Sequence, residues 1–241
     1  MQGFLLLIQF MTRLPIFINV DYDPIKLGKA IKFFPLLGLI IGGILFLSYS
    51  LINPFIENKL IVALIIVVLE ILITGGLHID GLSDSFDGLF SYREKDRILE
   101  IMKDSCIGVN GALAIIIYVL LKVLLLSELS WEFILIMPVI ARLNTVFHAG
   151  IGVYARKDGM GKSIVSETTI KGVLFAIGIV SFISFTLLKW QGILIVFFSL
   201  CFGLVSLYYI QKRIDGITGD TMGAVLELTS IFVLLFGVFL K

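Results

Sequence analysis

Seven separate stretches of roughly twenty apolar residues dominate this chain, near 33–52, 60–79, 107–126, 131–153, 170–188, 191–210 and 223–240. The hydrocarbon core of a bilayer is about 30 Å thick, and a helix needs about 20 apolar residues to cross it. Lipid offers no partner to a backbone N–H or C=O, so so many apolar stretches can span only as helices that satisfy their own backbone. The expected fold class is all-α: a polytopic membrane protein of seven transmembrane helices in one domain covering 1–241, with 1–32 as an interfacial N-terminal segment. Composition agrees. The chain is 59% hydrophobic and 15% charged, with a mean hydropathy of +1.07, whereas soluble domains run at about 45–50% apolar and about 25% charged.

The opening MQGFLLLIQFMTR lacks a basic n-region and a small-residue cleavage site. It therefore reads as a segment lying at the membrane surface rather than as a signal peptide. Cys106 and Cys201 fall in distant segments and suggest neither a disulfide nor a metal–thiolate site. A net charge of +1 gives no reason to expect a nucleic-acid partner.

The distribution of charge is more informative. With those spans, alternate loops place 14 of the 19 Lys and Arg residues on one side and 3 on the other, leaving Lys122 and Arg142 inside spans. The positive-inside rule then puts the N-terminus in the cytoplasm, the C-terminus outside, and all three long polar loops on the cytoplasmic side of the cell membrane.

The first of these loops begins GGLHIDGLSDSFDG. On a helix Asp80, Asp84 and Asp87 stand at i, i+4 and i+7, on one face, where like charges repel. A divalent cation resolves the repulsion, and magnesium, held by a few carboxylates plus substrate phosphates, fits best. Gly81 and Gly88 flank the carboxylates and leave room for a close approach to the backbone. His78 is a candidate base or ligand, or else a hydrogen-bonded histidine at a helix end.

The following REKDRILEIMKDS is amphipathic, with Ile98, Leu99, Ile101 and Met102 as its apolar positions; Asp104 stands apart as a further candidate ligand. The second loop, YARKDGMGKSIVSETTIK, offers Arg156, Lys157, Lys162 and glycines to a phosphate, without Walker A spacing. The third, QKRIDGITGDTM, again sets Asp220 beside glycine, and Glu227 lies two turns further on, where both could face one cavity. Glu70 and Arg142 lie mid-span at one depth, as a structural pair or as the floor of a substrate cavity. Lys122, near a span end, is expected to snorkel.

TGGLHIDGLSDSFDGLF followed by RILEIMKDSCIGVNGALA, together with FMTRLP, ARLNTVFHAGIGVYARKDGMGK and DGITGDTMGAVLELT, resembles the cobalamin synthase family, the adenosylcobinamide-GDP ribazoletransferases. The blocks run in the family's order and cover most of the chain. The resemblance implies a magnesium-dependent membrane enzyme that joins adenosylcobinamide-GDP to α-ribazole or its 5′-phosphate and releases GMP. It implies Asp80, Asp84 and Asp87 as metal ligands. Arg13, Lys103, Arg142, Arg156 and Lys162 would contact substrate, and His78, Asp104 and Asp220 are candidates for the base. The expected partners are these two substrates and the lipid bilayer, and a homo-oligomer is compatible with such a bundle. Asp84, Asp87 and Gly88 also fit the DxxDG part of a CDP-alcohol phosphotransferase motif, but the AR pair that should follow is missing. A cation transporter would distribute its charges through the membrane rather than at one face.

Overall fold

The computed structural model describes residues 2–18 and 20–241. The helices are α1 (Gln2–Met11), α2 (Pro24–Ala30), α3 (Phe34–Ile52), α4 (Lys59–Thr74), α5 (Leu77–Leu89), α6 (Lys95–Ile101), α7 (Val109–Glu128), α8 (Glu132–Ile151), α9 (Met160–Glu167), α10 (Ile170–Ile214) and α11 (Gly219–Phe239). Among the described residues there is no strand, only an isolated bridge between Tyr154 and Ile217. Five helices are long and apolar enough to cross a bilayer, or six if α4 and α5 count as one bent span.

Helix α8 forms the centre. Nearly all of it from Phe133 to Ala149 is buried, and α3, α10 and α11 pack around it. Close packing replaces hydrophobic exclusion as the drive between helices in lipid. Gly38 and Gly42, one turn apart on α3, meet the α8 backbone at Pro138 and Leu135. Buried amides and hydroxyls add the polar contacts: Asn144 Nδ2 donates to Ser199 O (2.8 Å) and Thr229 Oγ1 (3.0 Å).

The stretch 60–79, expected to be one span, breaks. Gly75 and Gly76 both take left-handed conformations (φ 65° and 72°), and α5 leaves α4 at 91°. Two consecutive left-handed residues are cheap only for glycine. At thirteen residues α5 reaches about 20 Å, too short to cross. Replacing Gly76 with alanine isolates this requirement, because a Cβ there would meet nothing within 4 Å. The expected cost is about 1 kcal/mol, or about 2–4 °C in the thermal midpoint of the purified protein.

Helix α10 is also interrupted, at Lys189 (φ 53°, ψ −134°). A Cβ on Gly192 would strike the backbone of Ser184. Eight residues span about 12 Å along a straight helix, so the chain reverses here and the two arms lie side by side. This matches the expected separation of 170–188 from 191–210.

The N-terminal segment packs into the bundle rather than only skimming it. Leu6, Leu7, Met11, Leu27 and Ile31 are buried in the same core as the long helices. Asp23 caps α2 by accepting from the amides of Ile25 and Lys26, each at 3.0 Å. The second polar loop likewise contains a helix, α9, which packs on α2. Of the four apolar positions in and just after α6, Ile98 and Met102 are buried and Leu99 and Ile101 half-buried.

Three expectations about buried charge are corrected. Lys122 does not snorkel: it is 1% exposed, with its Nζ 2.9 Å from Glu70, 3.6 Å from Glu227 and 2.5 Å from the Tyr118 hydroxyl. Glu70 pairs with Lys122 and not with Arg142, because α4 packs directly on α7. Arg142 instead donates to Pro138 O (3.0 Å) and lies over the Phe34 ring, 5.3 Å from its centroid. Glu227 accepts from Tyr118 inside the bundle and does not share a cavity with Asp220.

Candidate active site

One end of the bundle gathers the polar segments, and two local devices place the groups that matter. The left-handed glycines turn α5 across the mouth of the bundle. At the start of α11 a capping box fixes the first turn: Thr218 Oγ1 accepts from Thr221 N (3.2 Å) and Thr221 Oγ1 from Thr218 N (2.8 Å). The two helices cross on glycines. A Cβ on Gly81 would lie 2.7 Å from Asp220 O, and one on Gly223 would lie 3.3 Å from His78 Cα. This close crossing, which larger residues would prevent, brings the face bearing Asp80 and Asp84 to Asp220.

The resulting patch is electrostatically unbalanced. Burial raises the Asp84 carboxyl to about 7, with the charges of Asp80, Asp220 and Asp87 pushing the same way and Arg156 opposing them. Arg156 reaches the patch because the segment after α8 is tied to the one before α11. Ala155 N donates to Ile217 O (2.9 Å), and Ile217 N donates to Val153 O (2.7 Å). The Arg156 Nη1 then lies 2.9 Å from Asp220 Oδ2 with the side chain 13% exposed. Its Nε and Nη2 are buried without a hydrogen-bond partner. An arginine with spare donors beside a carboxylate patch is suited to an anion with two or more oxygens.

Asp87 points elsewhere. Its Oδ2 accepts from Gly108 N (2.8 Å) and its Oδ1 from Gly111 N (2.9 Å), so it caps α7, whose own cap residue is a glycine. Ser83 and Gly111 let α5 and α7 approach closely enough for that contact.

Beside the patch lies a cavity of ≈ 190 Å³ between α1, α5, α9 and α11, with Asp80, Asp220 and His78 in its walls. His78 is buried, and its Nδ1 has no partner within the protein. Arg142 does not line this cavity; it lies against Phe34, which does.

The structure therefore brings His78, Asp80, Asp84, Asp220 and Arg156 together. It does not bring Asp104, Lys103 or Lys162 into contact with them. Asp104 is exposed and accepts from Cys106 N (3.0 Å), Lys103 is exposed, and Lys162 Nζ is tied back to Lys157 O (2.5 Å) and Asp158 (3.7 Å). The Arg13 side chain packs against Gly75, where a Cβ would be 2.6 Å from its Nε, so it braces the α4–α5 turn. Sequence reasoning missed the cap that Asp87 places on α7, whose partners are more than twenty residues away and carry no local signal. It also missed Thr218 and Thr221, although a threonine three residues before another at the head of an apolar run is a legible helix start.

The donor set suits a hard cation. Apart from His78, the candidate ligands are carboxylates, and the raised Asp84 carboxyl is in keeping with excess negative charge that a divalent ion would relieve. Among the described residues, no three acidic, histidine or cysteine side chains converge into a ready-made cage.

The sequence matches the cobalamin-5-phosphate synthase family over residues 3–238. It is 41% identical to the adenosylcobinamide-GDP ribazoletransferase of Fusobacterium nucleatum, over 98% of this chain and 97% of that one. With the enzyme of the same name from Clostridium acetobutylicum it shares 39% identity, over 96% of this chain and 93% of that one. No solved structure matches. A match that runs from α1 into the last turns of α11, and takes in both the carboxylate patch and Arg156, leaves one conclusion: this chain belongs to the cobalamin-5-phosphate synthase family.

Proposed function

We propose that this chain is an adenosylcobinamide-GDP ribazoletransferase, catalysing the last assembly step of the cobalamin nucleotide loop. The observation that carries the chemical part of this reading is the Asp80–Asp84–Asp220 patch with Arg156 beside it. A diphosphate donor needs its charge neutralised and its phosphorus held in line with the incoming hydroxyl. A ribose hydroxyl of α-ribazole attacks the cobinamide-side phosphorus. A new P–O bond forms, the diphosphate P–O bond breaks, and GMP leaves with the electron pair.

Arg156 orients the diphosphate through its unpartnered Nε and Nη2, while Asp220 fixes the guanidinium through Nη1. Asp80 and Asp84 would hold magnesium, and Asp87 supports them by locking α5 to α7. Bound magnesium supplies charge neutralisation at the phosphate oxygens. The proton of the attacking hydroxyl passes to a carboxylate, Asp220, which stands beside Arg156; His78 is the other candidate, whereas Asp104 lies away from the patch.

The reading extends to the membrane. Separation of the α10 arms at Lys189 supports seven crossings, and the excess of Lys and Arg at the end bearing the patch supports a cytoplasmic active site in the cell membrane. A corrinoid donor is too large for the cavity and would sit outside it, at the open face.

The test is turnover in detergent or liposomes with adenosylcobinamide-GDP, α-ribazole and magnesium, following both GMP and corrinoid product. Activity lost to EDTA and restored by magnesium is expected. Turnover of a CDP-alcohol donor in its place would replace this reading with phospholipid synthesis.

Magnesium affinity should also depend on pH in a defined direction. An Asp84 carboxyl near 7 holds a proton that the cation must displace, so binding is weakest at low pH. Affinity is expected to rise by up to about tenfold per pH unit approaching 7 and to level off above it. Calorimetric titration of magnesium at several pH values reads this slope, which should disappear in Asp84→Asn. A flat profile in the unmodified protein would contradict it.

A further inference from the structure

The cavity beside the patch is amphipathic in a way the phosphate chemistry leaves unused. Phe10, Met11, Phe34, Met160, Ile164 and Met222 line it, while Asp80 and Asp220 stand in the same walls. Resting on the ribazoletransferase reading, we propose that this cavity is the acceptor subsite: it takes the aromatic base of the nucleoside and leaves the ribose hydroxyl at the carboxylates.

Size and polarity select this occupant. An apolar cavity of about 150 Å³ holds a benzene ring, so ≈ 190 Å³ suits a fused bicyclic ring whose sugar projects from the mouth. Guanine, the base on the donor, presents several donors and acceptors around its edge. Against Phe10, Met11, Phe34, Met160, Ile164 and Met222 most of them would be unpaired, which is costly, and Asp220 is already held by Arg156. A dimethylbenzimidazole has one free ring nitrogen and two methyl groups. The His78 ring lies in the wall as one polar partner, alongside Asp80, Thr145 and Asp220. Methionines fill irregular space around aromatic rings and make favourable sulfur–ring contacts. The corrinoid is several times too large to enter.

The geometry also explains Gly219. It lines the cavity, and a Cβ there would meet nothing within 4 Å. The space in front of this exposed glycine is open and holds no packing neighbour.

The experiment narrows the cavity in two ways in the full-length protein: Gly219→Leu from the α11 side and Met160→Trp from the exposed α9 side. Two measurements are made on folded, monodisperse samples: equilibrium dialysis of radiolabelled α-ribazole, and steady-state kinetics with α-ribazole and adenosylcobinamide-GDP varied in turn. In each variant the dissociation constant and KM for α-ribazole are expected to rise about tenfold or more, the scale on which shape discrimination in an apolar pocket operates. The KM for adenosylcobinamide-GDP should change less than about threefold on that same scale. The riboside lacking both methyl groups should bind the unmodified protein about tenfold more weakly, from the loss of two buried methyls. That gap should close in the variants.

Unchanged acceptor constants in both folded variants, or a rise confined to the donor, overturns the subsite. α-Ribazole binding that depends on the cavity, without turnover of adenosylcobinamide-GDP, would keep the subsite and sink the proposed reaction. Turnover that ignores both substitutions would do the reverse, and absence of both binding and turnover would sink the two together.

Discussion

Asp84→Asn is expected to lower turnover about a thousandfold or more, roughly 4 kcal/mol of transition-state stabilisation, while leaving the protein folded. The two halves of this result share a cause. Asp84 sits where burial and three neighbouring carboxylates make its ionised form unfavourable, and its carboxyl is raised to about 7. Its folded pKa lies above the unfolded one, so between the two values the folded state holds the extra proton. Stability therefore falls as pH rises from about 4 to 7, and the residue opposes folding at neutral pH. Asparagine removes that repulsion with little change in shape, so the thermal midpoint should hold or rise at pH 7.5.

A group that opposes stability yet is required for activity is the mark of a functional site. The measurement pairs GMP release with thermal unfolding of wild type and variant. Loss of activity together with a large fall in the midpoint would make Asp84 a structural residue. Retained activity would remove it from the metal site.

The second large effect lies in the middle of the bundle. Lys122→Met is expected to destabilise the protein by about 3–5 kcal/mol, or a fall of about 10 °C in its thermal midpoint. Lys122 lies between Glu70 and Glu227 with the Tyr118 hydroxyl against it, and all four side chains are buried. Removing the ammonium leaves two carboxylates in a medium that solvates neither. The cost comes from those orphaned charges, not from the lost pair, and this separates two otherwise similar variants. Adding Glu70→Gln and Glu227→Gln to Lys122→Met should recover most of the loss. If the triple variant is no more stable than Lys122→Met alone, charge is not the source of the effect.

Much of this arrangement was legible in the sequence. Runs of about twenty apolar residues marked α3, α7, α8 and α11 to within a few residues, because a helix in lipid must be apolar along the whole depth of the hydrocarbon. The reversal inside α10 was legible for the same reason: its 45 residues are about twice what one crossing needs. The i, i+4, i+7 spacing of Asp80, Asp84 and Asp87 named the reactive face of α5, since helical periodicity is a local property.

What failed was partner choice. Glu70 and Arg142 share a depth, and depth alone suggested their pairing; the pairing was decided by α4 packing on α7, which sets Lys122 against Glu70. Asp87 looked like its two neighbours, yet its oxygens go to amides of α7. In the same way, Glu227 followed Asp220 by two turns but was drawn into the Tyr118–Lys122 network.

The sequence by itself determined which segments are apolar enough for long helices, that Asp80, Asp84 and Asp87 share a helix face, and which residue types could meet a phosphate. These depend on interactions within a few residues: backbone hydrogen bonding in lipid and side-chain period. Only the tertiary structure decided that Asp220 joins Asp80 and Asp84, that Arg156 arrives beside them with donors unspent, and that a cavity opens next to the patch. Those outcomes depend on the α5–α11 crossing at Gly81 and Gly223, where residues some 140 positions apart come into backbone contact. No local pattern encodes such a contact, because its energy exists only once both helices are packed.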